Sequence, residues 1–502
     1  MKILKISAIA AAACLLASSA NADDAKPKRQ LKGNMMEVYN TLPSSANNIT
    51  EAFANGVFYG RLRMNAFRWD WKSADTASNK DNKAFGLGGS IIYKTAPLSG
   101  VSATAALYYA NSPFSALRDD NADVGATKAG KDTFSRRNVD ADGDWSMTVL
   151  GQAYLQYDIS KTTFKVGRQI FESFLTKSND TKMIPNTFEG YSVEMKEIPK
   201  TTIRAAYFTA QKLRDHTTFH DVIAFGTANG TTANADKWAN NDDAGVHKGL
   251  TFIKLNAVGK AENELIVADI RNKSIENLQL DLTYGSVPGL ISSITGEINY
   301  KINLPGGFSL TPGIRHMQQM DKGAGEIGGA SLSGTVTAAN ATASGYKDGD
   351  SLDSSLTMAR LVLNQGPLKF QIAYSAVADE GDIVAPWRGF PTGGYTRAMA
   401  QYNWRANTKT TAAEVKYDFG KANMIPGFTA MARYAIQNFD EDKQAGGVQA
   451  DSNILHMDFI KKVATGLEAK LRIGLISADD RISGSTDKDS YNEYRFELNY
   501  LF

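Results

Sequence analysis

The stretch "YNEYRFELNYLF", residues 491–502, separates cleanly when read in alternation. Asn492, Tyr494, Phe496, Leu498, Tyr500 and Phe502 fall on one side; Glu493, Arg495, Glu497, Asn499 and Leu501 fall on the other. Successive side chains of a strand point to opposite faces, so the segment reads as a strand with one mostly apolar and one mostly polar face. A soluble sheet would carry the same stripe. The fold is decided by whether the rest of the chain buries that stripe in a core or in lipid.

The pattern recurs along the chain. "LQLDLTY" (278–284) sets Leu278, Leu280, Leu282 and Tyr284 against Gln279, Asp281 and Thr283. "ITGEINYKI" (294–302) and "LEAKLRIGL" (467–475) divide in the same way, as do "VFYGRLRMNAF" (57–67) and "TIRAAYFTAQKLR" (202–214). The alternation predicts about 18 strands, starting near 57, 83, 100, 145, 161, 187, 200, 263, 276, 290, 307, 354, 366, 408, 426, 451, 465 and 490. Residues 247–258 are a candidate for an added strand, and 408–419 is the other weak segment. Short joins such as "IPKT" (198–201), "LPGGF" (304–308) and "NQGP" (364–367) alternate with mostly longer polar joins: 112–144, 171–187, 214–262, 319–353, 379–408, 439–451 and 477–490.

Tyr and Phe near the ends of the apolar stripes match aromatic girdles at two membrane interfaces. Backbone groups in lipid must be paired internally, so such a sheet has to close on itself. The expected fold is therefore all-β: a transmembrane antiparallel barrel with short periplasmic turns and long extracellular loops. A secreted β-sandwich is the soluble alternative.

The start of the chain supports export. "MKILKISAIAAAACLLASSANA" has Lys2 and Lys5, a short apolar run and a small-residue end, which reads as a signal peptide cleaved after Ala22. Cys14, the only cysteine, lies within it, so the mature chain has neither disulfides nor thiolate metal sites. Cleavage takes two lysines from 55 basic residues against 53 acids, leaving a net charge of about zero and nothing that suggests a nucleic-acid partner. The expected organisation is a signal peptide over 1–22, a periplasmic lead-in over 23–56 with a short helix around 50–54, and a barrel over 57–502.

If the apolar faces meet lipid, the opposite faces line a lumen. Basic residues on them are Arg61, Arg63, Arg204, Lys212, Arg214, Arg271, Arg315, Arg360, Lys369, Lys416, Arg433, Lys470, Arg472 and Arg495. Acids are fewer: Glu194, Asp269, Asp281, Glu297, Glu414, Asp458, Glu468 and Glu497. Fixed positive charge in a narrow passage concentrates anions, and arginine's planar fork suits carboxylate or phosphate. The competing reading is structural: Arg–Glu pairs such as Arg495 with Glu497 would merely stiffen the wall.

Other motifs carry less. Asp140, Asp142 and Asp144 in "VDADGDW" are spaced like a calcium loop, but Gly151 stands where its bidentate acid belongs. "GAGEIG" (323–328) matches a dinucleotide-binding pattern without opening a helix and reads as a flexible loop. His216 and His220 stand four apart with no helix or neighbouring Glu to make a zinc site. Barrel enzymes need a His–Ser or Asp–His group near the rim; Asp215 with His216, or His456 with Asp458, lack any serine nucleophile motif, and no enzyme activity is expected. No cofactor is expected. The long loops 214–262 and 319–353, poor in packing residues, leave adhesion as a further reading.

Residues 166–208 carry a resemblance. Gly167-Arg168, Asn179-Asp180-Thr181-Lys182, Met183-Ile184-Pro185 and Thr187-Phe188-Glu189-Gly190 resemble the corresponding segment of the OprD-like porins, substrate-specific outer-membrane channels of Gram-negative bacteria. "GSVPGLISSITGEINYKINL" (285–304) resembles the family's mid-barrel hairpin more weakly. The resemblance implies an 18-stranded monomeric or trimeric barrel, a third loop folded inward to narrow the pore, and basic wall residues guiding anions, often carboxylates. Lys182 stands where many members have Arg. The constriction loop is expected to involve Arg168, Lys177, Asp180, Lys182 and Glu189, although Arg168 shares parity with Phe164 and Val166 and faces lipid unless a bulge shifts it. The expected function is passive diffusion of small polar, anionic solutes, with a non-selective porin as the alternative. The expected partners are those solutes, outer-membrane lipid and lipopolysaccharide, and barrel-assembly machinery acting through the C-terminal strand.

Overall fold

The computed structural model describes residues 29–31, 36–39, 44–72, 81–118, 144–178, 183–214, 216–224, 246–399, 402–480 and 490–502. Among these, no helix is long and apolar enough to cross a membrane. Strands dominate. A small ribbon pairs β1 (Arg29–Leu31) with β2 (Glu37–Tyr39). The main sheet runs through β3 (Val57–Trp71), β4 (Asn82–Lys94), β5 (Val101–Asn111), β6 (Ser146–Ile159), β7 (Thr162–Gln169), β8 (Thr187–Met195) and β9 (Thr201–Lys212). It continues through β10 (Leu265–Asn272), β11 (Leu278–Val287), β12 (Ile291–Tyr300), β13 (Ile302–Asn303), β14 (Phe308–Asp321), β15 (Ser354–Gln365) and β16 (Leu368–Val377). The last strands are β17 (Lys409–Asp418), β18 (Phe428–Asn438), β19 (Ser452–Ala464), β20 (Leu467–Ala478) and β21 (Tyr491–Leu501).

Each strand pairs antiparallel with its neighbour, and β21 pairs with β3, so the sheet is a closed barrel of 18 crossing strands, β13 being a two-residue extension beside β14. Every expected start lies within two residues of the observed one. At the seam, Gly60 and Phe502 exchange backbone hydrogen bonds of 3.1 Å. A Cβ on Gly60 would sit 2.1 Å from the Ser90 carbonyl oxygen of β4 and 2.9 Å from the Phe502 ring, so the position needs glycine.

The outer wall is apolar. Phe58, Tyr157, Phe164, Tyr300, Phe308, Phe370 and Tyr500 are exposed toward the short-turn end, and Tyr109, Tyr191, Tyr207, Tyr284, Tyr374 and Tyr434 toward the long-loop end. These two aromatic belts bracket Leu107, Leu282, Ile314 and Ile372. The alternation of residues 491–502 holds: Glu493, Arg495, Glu497 and Asn499 are buried inward.

The interior departs from the expectation of long loops poor in packing residues. A large apolar cluster fills the loop end, joining Phe171 and Leu175, Val222 and Ile223, Leu250 and Leu255, Leu332 and Leu352, and Trp387, Tyr395 and Trp404 to inner-wall residues such as Phe208 and Met317. The described parts of the loops 214–262 and 319–353 are thus not poor in packing residues: their scattered apolar side chains find the inner wall, a non-periodic arrangement that alternation does not register. Residues 247–258 add no strand; Thr251 caps a short helix, Phe252–Ala257. "GAGEIG" is not a loose loop either: Ala324–Gly328 forms one helical turn with Ala324, Gly325 and Gly328 buried.

The segment expected as a purely periplasmic lead-in divides in two. Helix Ile49–Ala54, capped by Asn48, packs at the turn end, where the Ala96 N–H donates to the Ala52 carbonyl at 2.9 Å. The ribbon instead meets the barrel wall from inside, as described below. The signal-peptide residues 1–22 lie outside the described residues.

Candidate functional site

The third loop leaves β7 and returns at β8 through two glycines of the quoted motif. Gly167 and Gly190 face each other in register with φ of +116° and +149°. A Cβ on either would meet a carbonyl oxygen across the ladder, at 2.3 Å from Ala153 or 2.2 Å from Tyr207. Side chains rarely adopt such φ, so both positions require glycine. From there the loop runs inward. Met183 and Ile184 are fully buried against Ile92, Ala106, Tyr108 and Met147 of the inner wall.

A second loop, 378–408, joins it inside the barrel. The Lys177 N–H donates to the Trp387 carbonyl at 3.0 Å, and the Gly389 N–H to the Leu175 carbonyl at 2.7 Å. The second loop lies on the wall opposite: Arg315 donates to the Pro391 and Gly393 carbonyls, Arg360 to Gly394, and Arg433 to Arg397. The passage is narrowed by two loops, of which the resemblance predicted one. The signal for the other was "PWRGFPTGGYTR" (386–397), which interleaves aromatic residues, arginines and glycines in a segment read only as a polar join.

Around this narrowing the wall cations form shared pairs. Glu297 accepts from Arg315 Nε at 2.6 Å and from Arg360 at 3.1 Å. The Tyr395 ring lies 4.6 Å from the Arg315 guanidinium and 4.3 Å from that of Arg360, with Phe174 5.0 Å from Arg315. Such stacking holds a guanidinium in place without cancelling its charge. Glu414 likewise serves both Lys369, at 2.8 Å, and Arg433. Arg204 is held bidentate by Asp269 at 2.6 and 2.9 Å, over the Phe171 ring. Lys177 of the third loop enters this field. Burial lowers its pKa, Glu172 opposes that, and Arg271, Arg204 and Arg315 lower it further, as expected of one cation among several.

Other predicted lumen residues are inward but more fully matched. Arg63 meets Glu497 at 3.4 Å, Arg472 meets Asp458 at 3.2 Å, and Arg61 meets Glu37 at 2.9 Å. Arg495 pairs with Glu493 rather than with the expected Glu497, which takes Arg63 instead. Arg271, Lys416 and Lys470 have inward parity, and among the described residues none of them makes an ion pair within 4.0 Å.

Several expected positions are corrected. Lys212 does not line open space: it is fully buried and donates to the Pro185 and Leu213 carbonyls at 2.7 and 3.0 Å, pinning the third loop. Arg214, beyond the end of β9, is buried too. Arg168 and Glu189 are not in the constriction. They pair with each other at 2.9 Å on the outward face, Arg168 lying over Phe219. The irregularity that would have turned Arg168 inward falls in the β8–β9 pairing, between Glu189 and Gly190, leaving β7 in phase. Asp180 and Lys182 lie outside the described residues, as do Asp140, Asp142 and Asp215. Asp144 accepts from the Ser146 N–H at 2.9 Å and its Oγ at 2.7 Å, closing a local turn. His216 and His220 hydrogen-bond each other at 2.7 Å, and His456 meets Asp458 at 2.8 Å. Among the described residues no group of three or more His, Cys, Asp or Glu is placed to hold a metal.

A closed barrel that is apolar outside, charged inside and narrowed by its own loops is a membrane channel. The chain belongs to the OprD family of outer membrane porins, whose family model matches residues 120–502. Among solved structures it is similar to OccAB1 of Acinetobacter baumannii, at 15% identity and a TM-score of 0.66 over 91% of this chain and 99% of that one. OccK8 (OprE) of Pseudomonas aeruginosa is similar at 16% identity and a TM-score of 0.64, over 90% and 99%. OpdK of the same organism, crystallised with vanillate, is similar at 15% identity and a TM-score of 0.62 over the same shares. No curated protein sequence matches the chain. The family and fold make the chain a passive outer-membrane porin, a channel rather than an enzyme.

Proposed function

We propose that this porin passes small polar solutes with a preference for anions, carboxylates above all. One observation carries the reading: at the narrowing, basic groups outnumber the acids that hold them. Glu297 is shared by Arg315 and Arg360, and Glu414 by Lys369 and Arg433, so each cluster retains a net positive charge. Arg271 and Lys177 add charge nearby. A small carboxylate entering this field gains Coulombic attraction and bidentate donors while the fixed groups need not reorganise. The aromatic faces of Phe171, Phe174 and Tyr395 beside these guanidiniums suit a solute with an apolar body. Vanillate in OpdK is a solute of that class, although similarity at that identity carries only the fold.

Flow follows the solute gradient, without cofactor or energy source. The chain is exported after cleavage behind Ala22, assembled by barrel-assembly machinery through its C-terminal strand, and set among lipid and lipopolysaccharide as monomer or homotrimer. Liposome swelling tests the preference: swelling should be faster with a small carboxylate than with its amide of equal size. Equal rates would favour the second reading, a general porin, which draws support from the pairs Arg204–Asp269, Arg63–Glu497 and Arg495–Glu493.

A further inference from the structure

Glu37 and Tyr39 precede the barrel in sequence, yet their partners are on its inner wall. The Glu37 carboxylate meets Arg61 Nε at 2.9 Å and accepts from the Ser90 hydroxyl. The Tyr39 ring stacks on Tyr59, 5.4 Å between centroids and 20° between planes. Tyr59 and Arg61 share the parity of Arg63, whose partner Glu497 faces the lumen, whereas Phe58 and Leu62 are exposed outward. The side chains of Arg61 and Glu37 are 1% and 4% exposed, so the contact is sealed. Pairing of β1 with β2, Leu31 opposite Glu37 and Arg29 opposite Tyr39, makes this a two-stranded ribbon. Two paired strands take up about 5 Å of width before side chains are counted.

We propose that this ribbon is a second constriction of the channel, on the short-turn side, and that Glu37 is a selectivity-determining residue. Glu37 cancels the charge of Arg61, while Tyr39 on Tyr59 seats the ribbon against the wall. The Arg61–Glu37 pair is neutral and the bore beside it reduced, in contrast to the clusters around Glu297 and Glu414, where each acid serves two cations. This inference rests on the channel reading alone and is independent of any anion preference.

Single-channel recording of purified protein in planar bilayers under a KCl gradient tests it, with the heat-dependent gel shift confirming a folded barrel. The Glu37→Ala/Tyr39→Ala variant should show a larger unitary conductance and a reversal potential moved toward the chloride potential. Arg61→Ala should move the reversal potential the opposite way, and Glu37→Ala/Arg61→Ala should return it to the wild-type value while keeping the larger conductance. The milder Glu37→Gln, which keeps the side-chain volume and a partner for Ser90, should reproduce the selectivity shift if the alanine variants do not fold. Wild-type conductance and reversal potential in folded Glu37 variants would overturn the proposal. A wild-type protein that passes no current would instead contradict the channel reading itself.

Discussion

Arg315 and Arg360 share one carboxylate, that of Glu297, and flank one ring, that of Tyr395. Glu297 holds two guanidiniums with one charge, so the cluster is both rigid and positive. Removing the carboxylate's charge while keeping its shape should expose the pair to solutes. Glu297→Gln is therefore expected to move the reversal potential toward the chloride potential, whereas Arg315→Ala moves it away. Identical reversal potentials in both variants would show that the cluster only braces the wall.

Arg271 and Arg204 lie on neighbouring strands but differ in their partners. Arg204 is held bidentate by Asp269; Arg271 has inward parity opposite Asp281, is exposed, and among the described residues makes no ion pair within 4.0 Å. Replacing both members of a neutral pair removes little net field, whereas replacing Arg271 removes a whole charge. Arg271→Ala should lower the anion-to-cation permeability ratio on the order of twofold, against little change for an Arg204→Ala/Asp269→Ala double variant. The reverse order, read from biionic potentials, would contradict the charge assignment.

The loops 322–353 and 378–408 are joined by one acid. Asp382, fully buried, accepts from Arg405 at 2.9 Å, from Tyr346 Oη at 3.0 Å, and from the backbone N–H groups of Leu332 and Ala406 at 2.8 Å each. Breaking a buried ionic hub by removing one partner costs about 3–5 kcal/mol. In Asp382→Ala the loops over 322–353 and 378–408 should gain hydrogen exchange while the barrel strands keep theirs, since wall pairing does not pass through this residue. Uniformly unchanged exchange would show that apolar packing alone holds the loops.

A histidine in the loop packing sets a pH dependence. His247 donates through Nε2 to the Gly329 carbonyl at 2.8 Å, and its Nδ1 accepts from the Gly249 N–H at 3.1 Å, so the neutral ring uses both nitrogens. Burial pulls its pKa down from 6.5 to about 4, against smaller raising effects from the Gly329 bond and Asp382. The unfolded loop thus takes up a proton more readily than the docked one. The stabilisation is complete above pH ~6.5 and is lost as pH falls toward about 4. Proteolytic cleavage within 246–260 should accelerate over that window and lose its pH dependence in His247→Gln; a flat wild-type profile would contradict the assignment.

What was legible in the sequence was what has a period. Leu278 to Tyr284 and Asn492 to Phe502 announce their faces because lipid and lumen impose strict alternation, and the strand starts and inward cations follow from it. The filling of the interior has no period. Trp387, Tyr395 and Trp404 reach the wall from an irregular loop, and Ala324–Gly328 becomes a helical turn only because the surrounding loops bury it. Lys212 fits the alternating pattern and is nonetheless closed off by Pro185, a contact between segments that no local window contains. Glu37 carries no signal at all until β3 brings Arg61 to it.

The most direct test of the central claim is the reversal potential of the purified wild-type protein in a planar bilayer under a KCl gradient. A value displaced toward the chloride potential is predicted, because Arg315, Arg360, Lys369, Arg433 and Arg271 outnumber Glu297 and Glu414 at the narrowing. A value displaced toward the potassium potential would contradict it.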